Sequence, residues 1–123
     1  MLGDFPPIAF VHTTDTDRAR DFYVGVLGLE LVEESPFAVV VRSAGTMIRI
    51  TPVPHHTPAG GTVLGWDVPD IAATMSALAA KGVPGLRFDG LTQDDLGIWQ
   101  SPSNARVAWF ADPDGNTLSL TQF

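Results

Sequence analysis

Two stretches decide how this chain folds. Residues 11–28 are Val11-His-Thr-Thr-Asp-Thr-Asp-Arg-Ala-Arg-Asp-Phe-Tyr-Val-Gly-Val-Leu-Gly28. Residues 64–82 are Leu64-Gly-Trp-Asp-Val-Pro-Asp-Ile-Ala-Ala-Thr-Met-Ser-Ala-Leu-Ala-Ala-Lys-Gly82. Each reads as the end of a strand, an acidic helix cap, an amphipathic helix and a glycine stop. Asp15 or Asp17 in the first copy, and Asp70 in the second, suit the positive end of a helix dipole. Ala19, Phe22, Tyr23, Val26 and Leu27 trace one apolar stripe at helical spacing. Ile71, Met75, Leu78 and Gly82 trace another. Gly25 weakens the first helix near its end, and Gly28 terminates it.

Strands extend outward from both units. Residues 8–13 precede the first helix, and strands near 29–34, 37–42 and 46–51 follow it. Ser35-Pro36 breaks the first pair and Ser43-Ala-Gly45 turns a hairpin. Pro52-Val-Pro-His-His-Thr-Pro-Ala-Gly-Gly61 is too rich in proline and glycine for a central strand, so it joins the halves. The second half opens with a strand at 62–68. A short strand is expected near 85–89, and a polar irregular insertion at 90–97. Ile98-Trp99-Gln100 then pairs with Arg106–Phe110. Asp112-Pro-Asp-Gly-Asn116 is a dense turn before a last strand at Thr117–Thr121. The chain is thus one α+β domain of two βαβββ modules, about 5–52 and about 62–123, with a linker at about 53–61.

Composition narrows the function. With 123 residues and 45% apolar content, a core is available, but each half is too small to stand alone. The halves should share a core within the chain or across a dimer. A formal net charge of −7 argues against nucleic acid and anionic membrane surfaces as partners. Absence of cysteine removes disulfides, thiolate nucleophiles and cysteine-based zinc sites. No signal-like or membrane-spanning run is visible, which leads us to expect a soluble, cytoplasmic protein. No glycine-rich phosphate loop or serine nucleophile turn occurs. Asp112-Pro-Asp-Gly lacks the further acidic ligands of a calcium loop.

The residues Asp15…Phe22-Tyr23…Leu27-Gly28-Leu29, Val68-Pro69-Asp70 and Asp112-Pro-Asp-Gly-Asn116 together resemble the vicinal oxygen chelate superfamily. That superfamily includes glyoxalase I, extradiol dioxygenases, fosfomycin-resistance enzymes and bleomycin-binding proteins. The resemblance implies curved mixed sheets, helices on their convex faces and a cavity enclosed by the concave ones. It also implies a homodimer. Metal-using members hold one divalent ion on four His, Glu or Gln side chains. The corresponding positions here are Ile8, Arg49, Val63 and Ser119. Two have no donor atom, one is a fixed cation and one is a weak ligand. The expectation is therefore no metal at those positions and no cofactor.

Strand alternation groups Ile8 with Phe10 and His12, Arg49 with Met47 and Thr51, Val63 with Gly65 and Asp67, and Ser119 with Thr117. The expected ligand-binding set is Phe10, His12, Met47, Arg49, Asp67, Trp99 and Ser119. Arg49 offers a planar fork of donors for a carboxylate or phosphate; its alternatives are plain exposure or an ion pair with Asp67. His12 is the one weak catalytic candidate, as a general base or a donor to ligand, unless it is a satisfied structural histidine. Asp67 can orient His12, accept from a cationic ligand, or help cap a helix. Trp66 should face the helix. Trp109, in an apolar strand, is expected in the core, and Trp99 is the tryptophan best placed for ligand. His55-His56 looks metal-like, but in a proline-rich joint with no carboxylate nearby the two histidines are expected in solvent.

Three functions remain from this reading. The first is metal-independent binding of a small aromatic or anionic molecule, with antibiotic sequestration as one form. The second is a lyase, isomerase or oxidoreductase with displaced ligands or none. The third is a structural or regulatory dimer with a vestigial cavity.

Overall fold

The computed structural model describes residues 1–123, as two compact units, Met1–Thr57 and Pro58–Phe123. Each builds one four-stranded mixed sheet.

In the first unit a short 3-10 turn, Leu2–Asp4, precedes strand β1, Ile8–Thr13. Helix α1, Thr16–Arg20, follows, capped by Asp15, whose carboxylate accepts from the Arg18 amide at 3.1 Å. The regular α-helix expected through Leu27 is not what forms. From Asp21 to Val26 the coil widens into a π-helical turn, and the Leu27 amide reaches five residues back to the Phe22 carbonyl at 2.9 Å. Gly25 lies inside this turn, where backbone freedom makes the departure inexpensive. The stop at Gly28 is as expected, with a φ of 75°. Phe22 and Tyr23 are both buried, their rings edge to face at 5.3 Å.

Strands β2 (Glu30–Ser35), β3 (Ala38–Ser43) and β4 (Thr46–Pro52) complete the sheet in the order β1-β4-β3-β2. The β1–β4 pair is parallel and the others are antiparallel. Val11 on β1, Val39 and Val41 on β3, and Ile48 and Ile50 on β4 are buried. They form the layer on which the helix rests, with α1 packed on β3 and β4. Burying each such side chain is worth about 1.5–3 kcal/mol before entropy is counted. The β3–β4 hairpin turns on two residues, Ala44 at φ 45° and Gly45 at φ 87°, the positive-φ pair that matches strand twist. Strand β2 lies at the edge. A register shift around Val32 and the carboxylates of Glu30, Glu33 and Glu34 guard that edge against further pairing. Arg20 spans from the helix to Glu34 at 2.8 Å and also bonds Asp21 at 3.1 Å. Asp21, and then Glu34, raise its pKa above the ordinary arginine value.

The second unit runs β5 (Thr62–Asp67), α2 (Ile71–Ala80), β6 (Trp99–Gln100), β7 (Arg106–Ala111) and β8 (Thr117–Gln122). Its sheet order is β5-β8-β7-β6, again with one parallel pair, β5–β8. The Asp70 carboxylate accepts from the Ala73 amide at 3.0 Å, and the Gln122 side chain accepts from the Ile71 amide at 3.0 Å. Ile71, Met75 and Leu78 are buried on the face that packs against β7 and β8, where Ala108, Phe110, Leu118 and Leu120 are also buried. Trp66 faces the same layer as expected, stacked on Phe110 at 6.3 Å. Asp112 is buried in the turn before β8 and accepts from Asp114 N, Asn116 N and Asn116 Nδ2 at 2.8–3.0 Å.

No strand forms at 85–89. The only ladder-like bond there is from Leu86 N to Trp109 O, 2.8 Å. Pro84 has no donor, and Gly85 backs onto the Leu96–Gly97 backbone, so the segment cannot continue along β7. Side chains hold residues 83–98 instead. Gln93 accepts from Phe88 N at 2.9 Å and donates to Leu86 O and Gly97 O, both at 2.8 Å. Arg87 donates to the Asp94 and Asp95 carbonyls at 2.6 and 2.9 Å. Asp94 accepts from the amides of Leu96 and Ile98. No helix of the chain is long and apolar enough to cross a membrane.

Candidate functional site

Each sheet has one face under its helix and one face turned away from it. In the first unit the face away from the helix carries Ile8, Phe10 and His12 from β1, and Met47, Arg49 and Thr51 from β4. The parallel register sets Ile8 opposite Met47, Phe10 opposite Arg49 and His12 opposite Thr51. Ile8 is 50% and Phe10 61% exposed on the edge strand β1, so this face carries uncovered apolar surface. Arg49 stands in a row with Phe10 and, on β3, Val40. Among the ion pairs of this unit, Arg20 and Arg42 take Glu34 and Glu30 as partners. No such pair engages Arg49, so its fork of donors is free for an anion.

His12 has a neighbour that strand alternation does not reveal. The ring of His56 approaches it edge-on, with centroids 5.9 Å apart and planes at 89°. The expectation that His56 lies in solvent does not hold: it is half-buried, while His55 is exposed. The cause is the path of the chain after β4. Val53 N donates to Thr13 O at 2.8 Å, so the segment leaving β4 is tied to the end of β1 before it reaches His56.

In the second unit Ser119 pairs with Gly65 on one side and Trp109 on the other, and Asp67 pairs with Thr121. A register shift between Thr62 and Leu64 takes Val63 out of the pairing, leaving it 40% exposed. Trp109 is therefore on the face away from the helix, not in the core. Its neighbours in sequence, Ala108 and Phe110, are the buried ones, and alternation turns Trp109 outward. There it meets Phe88 edge to face at 5.3 Å and Trp99 tilted at 6.1 Å. Beside this cluster lies a cavity of about 240 Å³ lined by Gly60, Gly61, Thr62, Phe88, Leu91, Trp109 and Thr117. No charged side chain lines it. Trp99 thus supports a wall formed by Trp109, which the sequence reading places in the core, and by Phe88, which it does not single out.

The chain belongs to the glyoxalase/bleomycin resistance protein/dioxygenase superfamily, whose model matches residues 7–120. Solved structures agree. A member of this superfamily from Sphaerobacter thermophilus is 25% identical over 97% of both chains, with a TM-score of 0.76. A glyoxalase family protein from Bacillus anthracis is 15% identical, covering 96% of this chain and 93% of its own, with a TM-score of 0.77. A lactoylglutathione lyase from Agrobacterium tumefaciens is 21% identical over 95% of both chains, with a TM-score of 0.72. No curated protein matches.

Donor chemistry at the superfamily's metal positions does not fit a metal ion. Ile8 and Val63 offer no lone pair, Arg49 offers a positive charge, and Ser119 one neutral hydroxyl. No group of three or more His, Cys, Asp or Glu side chains in the structure is placed to hold one.

Proposed function

We propose that the protein binds a small aromatic ligand on the face of its second sheet, without the metal ion that other superfamily members use. The observation that carries this is the cavity beside Trp109. An apolar cavity of ~150 Å³ already takes a benzene ring, so about 240 Å³ suits a one- or two-ring compound. Trp109 and Phe88 supply flat apolar walls, and the hydroxyls of Thr62 and Thr117 supply orientation. As a separate reading for the first sheet, Arg49 is an anion contact with Phe10, Met47 and His12 on the same face; on the second sheet Asp67 and Ser119 are further polar candidates.

The test is a thermal-shift and tryptophan-fluorescence screen with aromatic acids and cationic antibiotics. A ligand that prefers the folded state raises Tm and perturbs emission from Trp109. Trp109→Ala should remove the response to aromatic ligands, and Arg49→Ala tests separately for an anion contact on the first sheet. Unchanged binding by Trp109→Ala would defeat the proposal. Responses confined to cationic antibiotics would identify sequestration, a role in keeping with the net charge of −7.

A second reading, a lyase or isomerase using His12 as base, draws support from the exposed position of His12 on the same face as Arg49. Its test is an assay for lactoylglutathione lyase activity with and without His12→Gln. We further propose a cytoplasmic homodimer, supported by the cysteine-free acidic composition and by exposed Phe10 and Phe37.

A further inference from the structure

We propose that His12 and His56 form a transition-metal site of two imidazoles, distinct from the positions that the superfamily uses. The carrying observation is geometric. With Zn–N bonds of ~2.0–2.1 Å in a tetrahedral array, two imidazoles sharing one ion place their ring centroids roughly 5–5.5 Å apart. The His12 and His56 rings are 5.9 Å apart with planes at 89°. Rotation of the side chains is needed to turn a nitrogen of each ring toward a shared ion.

The chain is arranged to hold the second imidazole near the first. His12 lies opposite Thr51, and Thr13 opposite Pro52, in the parallel β1–β4 ladder. The Val53–Thr13 bond extends that attachment by one more residue. Pro52 and Pro54 restrict the backbone between the ladder and His56. Little chain entropy is therefore left to lose when an ion draws the two rings together. His12 is exposed and His56 half-buried, so an ion can reach them from solvent.

Two neutral imidazoles suit zinc, nickel or copper, with copper the tightest binder in the divalent series. The protein supplies no third His, Cys, Asp or Glu there. The remaining coordination positions fall to water or to a donor atom of a bound molecule, with one protein ligand fewer than the three of catalytic zinc sites. The site shares no residue with the cavity beside Trp109, so the aromatic-ligand reading and this one can fail independently; His12 is common only to the readings placed on the first sheet.

The experiment is calorimetric titration of the full chain, expressed without a histidine tag, with the chlorides of zinc, nickel and copper. One ion per chain is expected. His12→Ala and His56→Ala should each weaken binding at least tenfold, whereas His55→Ala, a neighbour of His56 in sequence, should leave it unchanged. Circular dichroism melts of all three variants establish that they fold. Electron paramagnetic resonance of the copper form should show coupling to two nitrogens, reduced to one in either single variant. Binding that survives the His12→Ala/His56→Ala double substitution, that falls equally with His55→Ala, or that is absent for all three metals overturns the proposal and leaves the ring contact as packing alone.

Discussion

Ala44 occupies the first of two positive-φ positions in the β3–β4 turn, with φ 45°. An L-residue with a Cβ is unfavourable there by roughly 1–2 kcal/mol, while asparagine and glycine tolerate it. Ala44→Asn should therefore stabilise the protein by about 0.5–1 kcal/mol, seen as a higher denaturant midpoint with an unchanged slope. Asp112 works in the other direction. It is buried and satisfies three N–H groups, so Asp112→Ala should cost about 2–4 kcal/mol by leaving them unpartnered. Much at this scale was legible. The caps at Asp15 and Asp70, the stop at Gly28 and the turn at Ala44-Gly45 follow from residue chemistry alone. The outward face of Trp109 is not legible in the sequence, because an apolar strand does not announce which of its faces lies under a helix. Hairpin register settles that, by setting Trp109 opposite Ser119. The meeting of His12 with His56 was invisible, since no periodicity describes the path of a proline-rich joint.

Among the elements, the two sheets were foreseeable from alternation and the segment between α2 and β6 was not. Residues 83–98 are placed by single side chains, Gln93 above all, and such contacts leave no repeating pattern in sequence. The π-helical turn at Asp21–Val26 escaped for a similar reason: the apolar stripe reads the same whether the coil has four or five residues between bonds. Glycine provides a sharp test here. A Cβ on Gly85 would lie 2.5 Å from the Leu96 carbonyl oxygen and 3.3 Å from the Gly97 Cα, both backbone atoms. Gly85→Ala should cost about 1–3 kcal/mol through overpacking. Gly60 has nothing within 4 Å of an added Cβ, so Gly60→Ala should change stability by no more than about 0.5 kcal/mol. Urea melts of both variants make the comparison.

For the molecule as a whole, family membership and fold came from motifs spread along the chain, while function rests on a few side chains that depart from the family pattern. The homodimer is checked by sedimentation velocity at micromolar protein. A dimer whose dissociation is promoted by Phe10→Glu or Phe37→Glu would place one of those exposed rings in the interface. The ties made by Arg87, Gln93 and Asp94 have a kinetic consequence. Because each joins carbonyls or amides several residues apart, none of the segment from Leu86 to Ile98 can open while its neighbours stay shut. Its amide protons should trade for deuterium in concert, at one common rate, and Gln93→Ala should accelerate all of them together while leaving the β7–β8 ladder slow.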